Sequence, residues 1–223
     1  AARIAAARLY FVCDACPHGS DPRELLDAAL RGGVDVVQLR DKGEHDDSEL
    51  IELAAPFRDA ARAAGALFVL NDRPDLVEAC GADGVHVGQD DLGVARAREL
   101  APPGTLVGLS THSERQLRDA RAAHGDARPD QLSVGPVWET PTKHGRTATG
   151  LELIEHAALD AGPVPWFAIG GIDAGRVGRV ADAGAARAVV VRAIRDSDDP
   201  QAAAAELRSA LERVPLGDRH SCL

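Results

Sequence analysis

Short runs of Val, Leu and Ile recur along the chain, and between them lie segments whose apolar residues fall three and four apart. The runs predict strands over Leu9–Cys13, Val34–Leu39, Leu67–Leu70, Gly84–Val87, Leu106–Leu109, Gln131–Val134, Trp166–Ile169 and Ala188–Val191. The segments between predict helices over Asp21–Arg31, Ser48–Ala64, Pro74–Cys80, Val94–Leu100, Ser113–His124, Leu151–Ala161, Ala174–Ala183 and Gln201–Arg213. Stretches such as Val34-Asp35-Val36-Val37 and Ala188-Val189-Val190-Val191 are almost continuously apolar, as strands covered on both faces of a parallel sheet must be. Asp21-Pro22, Ser113 and Asp173 stand where N-caps belong, and Gly32-Gly33, Gly81, Gly125 and Gly184 stand just past helix ends.

Strand then helix, eight times over 223 residues, gives about 28 residues per unit. That suits a minimal α/β single-domain (β/α)8 TIM barrel over residues 1–213, with residues 214–223 as a mobile tail. A doubly wound open sheet is the alternative fold. No Ser-, Gly- or Pro-rich linker divides Leu9 to Arg213, which favours one domain over two.

Composition narrows the function classes. Hydrophobic residues make up 45% and charged residues 27%, which excludes a mainly disordered chain. The 35 acidic residues outnumber 25 basic ones for a net charge of −10, which repels nucleic-acid backbones and acidic membrane surfaces but leaves room for local anion sites. No run approaches the about 18 apolar residues of a membrane span, and the first residues lack a signal-peptide core, so a cytoplasmic protein is expected. Cys13 and Cys16 form one C-x-x-C without a matching second pair, since Cys80 and Cys222 do not supply it; thiols without a role are expected. Only two basic residues are lysines, Lys42 and Lys143, and Asn71 is the only asparagine. Where Arg is used almost everywhere, a retained Lys marks a place for a compact ammonium.

In such a barrel the active site is built by loops leaving the C-terminal ends of the strands. The second strand ends in Gln38-Leu39-Arg40-Asp41-Lys42, and alternation puts Gln38 and Arg40 on the face toward the mouth, a combination suited to a polyanion. A surface Arg–Asp pair is the plainer explanation. The third strand ends in Asn71-Asp72 and the fourth is followed by Gln89-Asp90-Asp91. Carboxylates at Asp72 and Asp91 would give Mg²⁺ a half-shell completed by water and phosphate oxygens. Either residue could instead be an N-cap of the helix after it. Ser110-Thr111-His112 closes the fifth strand, and a loop of about 15 residues from Gly135 to Gly150, carrying Thr140, Pro141, Thr142 and Lys143, follows the sixth. A loop that long in a compact domain reads as a lid that brings an ammonium to a phosphate. Gly170-Gly171 and Val191-Arg192, after strands seven and eight, stand where such barrels hold phosphate on backbone N–H groups. No Ser-His-Asp or Cys-His arrangement is legible, which disfavours covalent catalysis.

The motifs Q-L-R-D-K at 38–42, N-D-R-P-D-L at 71–76, A-D-G-V-H-V-G-Q-D-D-L at 82–92, G-L-S-T-H at 108–112, T-P-T-K at 140–143 and A-I-G-G-I at 168–172 occur in order at the ends of successive strands. Together they resemble the thiamine-phosphate synthase family over nearly the whole chain. The resemblance implies that Gln38, Leu39, Arg40, Asp41, Lys42, Asn71, Ser110 and Lys143 bind a pyrimidine diphosphate, with Asp72 and Asp91 holding Mg²⁺. It implies that Thr140, Pro141, Thr142, Gly171, Val191 and Arg192 bind a thiazole phosphate. Arg40, Lys42, Lys143 and Ser110 would then assist departure of pyrophosphate, the pyrimidine cation being captured by the thiazole nitrogen. Arg192 stands where the family usually has Ser, and Cys13 where it commonly has Thr. Partners implied are small phosphorylated molecules, not nucleic acid or membrane, with homodimerisation left open. The rivals are a related thiazole tautomerase, which has no use for the diphosphate and metal elements, and a non-catalytic binder in which Arg192 has closed the thiazole site.

Overall fold

The computed structural model describes residues 2–41, 43, 45–140, 147–160 and 162–216. Eight parallel strands, β1 (Leu9–Cys13), β2 (Val36–Leu39), β3 (Leu67–Asn71), β4 (Gly84–Val87), β5 (Leu106–Thr111), β6 (Gln131–Val134), β7 (Trp166–Ile169) and β8 (Ala188–Val190), pair in sequence order. Pairing of Tyr10 with Val189 closes β8 onto β1, so the sheet is a barrel and not an open doubly wound sheet. The helices of the described residues are α1 (Ala2–Ala6), α2 (Arg23–Arg31), α3 (Asp47–Ala64), α4 (Val77–Cys80), α5 (Val94–Leu100), α6 (Glu114–Ala122), α7 (Glu152–Leu159), α8 (Ala174–Asp182), α9 (Arg192–Arg195) and α10 (Pro200–Glu212). None is long and apolar enough to cross a membrane.

Strand alternation divides the core in two. Leu9, Phe11, Val37, Leu39, Phe68 and Leu70 point outward into a layer shared with Leu26, Phe57, Leu117, Ile154 and Leu207 of the helices. Tyr10, Val12, Val36, Val69, Phe167 and Val189 point inward, and Tyr10 meets Phe167 edge-to-face at 5.6 Å. Burying each large apolar side chain stabilises the fold by about 1.5–3 kcal/mol. Helix ends follow the punctuation in part. Ser113 caps α6 by accepting from the Gln116 N–H, and Asp46 with Glu49 forms a capping box on α3. Asp173 precedes α8 without a side-chain cap bond, and α6 ends at Ala122, ahead of Gly125.

Two short helices were not foreseen. α1 puts Ile4 into the bottom of the barrel, and α9 begins directly beyond β8. Within the segment 214–223 that the sequence reads as a tail, the Val214 carbonyl accepts from Arg8 Nη1 at 2.8 Å. Residues 217–223, with Cys222, lie outside the described residues.

The N-terminal face is fastened by one motif used repeatedly. Asp35, Asp83 and Asp130 each immediately precede an even-numbered strand. Their carboxylates accept backbone N–H groups of the preceding strand or its lead-in: Arg8 and Leu9 at 2.7 and 3.1 Å, Phe68 at 2.9 Å, Val107 at 2.8 Å. An arginine closes each latch, Arg208 on Asp35, Arg3 on Asp83 and Arg98 on Asp130. Arg187 holds the equivalent place before β8 and instead donates to the carbonyls of Ala7 and Ala5, binding α1 to the barrel floor. These bonds stabilise the end opposite the strand C-termini, leaving those termini to chemistry.

Candidate active site

A cavity of about 310 Å³ opens at the C-terminal ends of the strands. Inward-facing Tyr10, Gln38, Asn71, His86, Ser110 and Ser133 line it from β1 to β6, and Gly170, Gly171, Val191 and Arg192 line it beyond β7 and β8. Its size suits one or two small ligands. The uncharged polar side chains Gln38, Asn71, His86, Ser110 and Ser133 stand on β2 to β6, whereas Val12, Ile169 and Val189 make an apolar wall and Arg192 and Asp196 line the cavity beyond β8.

Alternation on β2 works as read from the sequence. Gln38 and Arg40 both line the cavity, and Gln38 Nε2 donates to the buried Tyr10 hydroxyl at 2.9 Å. Burial pushes the Tyr10 phenol far above its ordinary range, against a smaller opposing effect of the Gln38 bond, so it stays neutral. Leu39 and Asp41 are not among the residues that line the cavity. The Leu39 side chain is 1% exposed in the strand–helix layer, because neighbours on a strand face opposite ways. Asp41 turns to the Gly43 N–H at 2.9 Å and to His45 at 3.0 Å, away from the cavity lining. Lys42, Pro141, Thr142 and Lys143 lie outside the described residues.

Asp72 and Asp91 do not cap helices. The turn Pro74–Leu76 is led by Arg73 and α5 by Gly93, neither with a side-chain cap. Asp72 has φ 63, a left-handed conformation uncommon for a residue other than glycine, and its N–H donates to the His86 carbonyl at 2.9 Å. Its carboxylate accepts from Asn71 Nδ2. Asp91 Oδ2 accepts from the Gly88 N–H at 2.9 Å, folding the loop after β4 back on itself. Both are hard oxygen donors beyond the ends of adjacent strands. No group of three or more His, Cys, Asp or Glu among the described residues could hold a metal ion unaided. Two carboxylates without a third protein ligand would leave such an ion to keep waters and to take the rest of its shell from substrate phosphate.

The loop after β6 is sewn shut at its base. Thr149 N and Oγ1 donate to the Pro136 carbonyl at 2.8 and 3.0 Å, and Gly150 N donates to Val137 at 3.2 Å. Val137 N and Trp138 N donate to the carbonyls of Ile169 and Gly170, docking the stem on the end of β7. Trp138 lies under Arg176 and Arg179 of α8, at 5.1 and 5.5 Å from guanidinium carbon to ring centre. Thr140 thereby reaches the cavity wall. Gly170 and Gly171 have φ 107 and 67, and a Cβ at Gly170 would sit 2.5 Å from that of Pro136, so only glycine lets the loop stem and the β7 turn approach this closely.

Arg192 opens α9, whose N-cap is Val191. The first backbone N–H groups of a helix have no intrahelical acceptor. Asp196 ends α9 facing the cavity, where hydrogen bonding to Arg195 foremost, and also to His18, holds its carboxyl below the ordinary aspartate range. Arg195 reaches on to Asp14 beyond β1 at 3.2 Å, fixing α9 against the β1 end. Cys13 is a buried free thiol pushed far up by burial and, less, by Asp14, while Cys16 is free and exposed, so no disulfide joins the pair.

A model of the family described as thiamine monophosphate synthase matches residues 9–194. The chain belongs to the thiamine monophosphate synthase family. A thiamine-phosphate synthase of Mycobacterium bovis is 52% identical over 218 residues, covering 94% of this chain and 96% of the relative. One of Streptomyces avermitilis is 48% identical over 212 residues, with 95% and 97% covered. Among solved structures, a thiamine phosphate pyrophosphorylase from Pyrococcus furiosus aligns with TM-score 0.82 at 29% identity over 96% of this chain and 98% of that one. A 3-hexulose-6-phosphate synthase, at 22% identity and TM-score 0.64, shares the fold alone.

As a member of the thiamine monophosphate synthase family, the chain brings the motif residues Gln38, Arg40, Asn71, Ser110, Thr140 and Gly171, together with Val191 and Arg192, to one cavity. Tyr10, His86, His112, Ser133 and Asp196 also line it and were missed. Alternation along β1 and β6 could have found Tyr10 and Ser133. Asp196 depends on α9, too short to leave a periodic signal.

Proposed function

We propose that the chain is a thiamine-phosphate synthase, a transferase that joins 4-amino-2-methyl-5-hydroxymethylpyrimidine diphosphate to 4-methyl-5-(2-phosphooxyethyl)thiazole, or its carboxylated form, and releases pyrophosphate. The observation that supports the proposal is that Gln38, Arg40, Asn71 and Ser110 line one side of a single cavity and Gly171 and the α9 entrance with Arg192 line the other, two sets whose chemistry suits anions. Arg40 and Arg192 line the cavity without an ion pair to any described residue, leaving both guanidinium groups for ligand anions.

The reaction breaks the C–O bond between the pyrimidine methylene and the diphosphate, whose oxygen takes the electron pair. The thiazole nitrogen then donates its lone pair to the resulting pyrimidine cation, forming the C–N bond. No protein nucleophile is needed. Arg40, with Lys42 and Lys143 from the motifs, would stabilise negative charge on the leaving group, and two anchored phosphates would align the reacting atoms. Asp72 and Asp91 would hold Mg²⁺, which when bound supplies further neutralisation of the diphosphate. The apolar wall of Val12, Ile169 and Val189 would exclude water that could capture the cation in place of the thiazole.

The test follows thiamine phosphate and pyrophosphate together on incubation of the full chain with both substrates and Mg²⁺. Equimolar products that disappear with EDTA and return with excess Mg²⁺ are expected. Saturable binding of the pyrimidine diphosphate with no product would refute the proposal in favour of a binder, and interconversion of thiazole tautomers alone would make the chain an isomerase.

A further inference from the structure

Three polar side chains form a buried chain at the cavity floor, and only one of them belongs to the ligand set proposed above. Register puts His86 of β4 beside Gly108 of β5, and Gly108 beside Gln131 of β6, so the three stand at one level of the barrel. Gly108 has no side chain, and the space is filled from both sides. A Cβ there would lie 2.0 Å from Gln131 Nε2 and 2.6 Å from His86 Nδ1. Through this gap Gln131 Nε2 meets His86 Nδ1 at 2.8 Å, and His86 Nε2 meets Ser110 Oγ at 2.9 Å. Gln131, His86 and Ser110 are 3%, 8% and 4% exposed.

The donors in this chain run one way. An amide nitrogen only donates, so His86 Nδ1 accepts, and the neutral ring carries its proton on Nε2. That N–H donates to Ser110 Oγ. The Ser110 hydroxyl has a single proton of its own and no other side-chain partner among the described residues, and it lines the cavity. Gln131 is only half satisfied by this arrangement: its Oε1 is buried without a hydrogen-bond partner among the described residues, while its Nε2 is committed to His86.

We propose that Gln131 is a positioning residue: by donating to His86 it fixes the Nε2–H tautomer, and so reserves the Ser110 hydroxyl proton for an acceptor atom of the substrate. The proposal rests on the synthase reading for the identity of that substrate, but the tautomer is a property of the protein alone. The acceptor is a pyrimidine ring nitrogen or a diphosphate oxygen, both of which take an O–H bond.

Proton–nitrogen NMR of the full chain reads the His86 tautomer directly. Nε2–H is expected in the wild type, and Nδ1–H in Gln131→Glu, whose carboxylate only accepts. In kinetics, Gln131→Glu and Ser110→Ala should each raise KM for the pyrimidine diphosphate by about 5- to 10-fold. In the Ser110→Ala background, Gln131→Glu should add nothing, because the proton it controls is gone. Gln131→Leu removes the donor without adding charge, and repeats the test if Gln131→Glu does not fold. Titration with the unphosphorylated pyrimidine alcohol and with inorganic pyrophosphate then assigns the acceptor: the variant weakens the first if it is the ring, the second if it is the diphosphate. An Nδ1–H tautomer in the wild type, equal losses from Gln131→Glu in both backgrounds, or no weakening of either probe would overturn the proposal. A chain that makes no thiamine phosphate yet shows Nε2–H would remove the synthase reading and leave the tautomer assignment standing.

Discussion

Arg40 and Arg192 face the cavity from opposite sides, and neither is neutralised by a described carboxylate. Arg195, by contrast, is held by Asp14 and Asp196 and serves to seat α9. Charge-assisted hydrogen bonds of an unpaired guanidinium to a phosphate contribute about 1.5–3 kcal/mol. Arg192→Ala should therefore raise KM for the thiazole phosphate by roughly 10- to 100-fold while leaving that for the pyrimidine diphosphate within about twofold, as steady-state kinetics would show. Equal effects on both substrates would place Arg192 elsewhere. Gln38 and Arg40 were legible in the sequence because a two-residue period on a strand needs no tertiary knowledge. Gln131 was not, since its partner His86 lies 45 residues earlier and the gap between them exists only once β4, β5 and β6 are in register.

The strands were readable almost to the residue because most carry Val, Leu or Ile at successive or alternate positions and are buried on both faces, and a run of that kind has one stable environment. β1, β4, β6 and β7 match their expected bounds. α1 and α9 were not readable. Five and four residues are too few for a helical period, and what holds them is tertiary: Ile4 in the barrel floor, and Arg195 on Asp14. Gly108 shows how an element is shaped by its neighbours, since β5 leaves a space there for two side chains from β4 and β6. Gly108→Ala should displace the Gln131 amide from His86 and cost about 1–3 kcal/mol in a denaturant titration. The variant should also lose the wild-type His86 tautomer signal. Unchanged stability with the hydrogen bond intact would show that the gap is wider than the structure has it.

At the scale of the molecule, the two ends of the barrel are used differently. The N-terminal end is tied by the Asp35, Asp83 and Asp130 latches, and the C-terminal end carries the cavity and the motif residues. Asp35→Ala removes an acceptor for two backbone N–H groups and a partner of Arg208, and should lower stability by about 2–3 kcal/mol with kcat/KM unchanged at temperatures where the variant is folded. A fall in kcat/KM without a fall in stability would contradict the division of labour. The central claim is that one cavity holds two phosphorylated ligands on opposite sides, and its most direct measurement is a crystal structure of the full chain with thiamine phosphate, pyrophosphate and Mg²⁺. The phosphate of thiamine phosphate is expected at Gly171 and the start of α9, with pyrophosphate and the metal beside Arg40, Asp72 and Asp91. Thiamine phosphate bound with its phosphate at Arg40, or pyrophosphate seated at α9, would contradict the account.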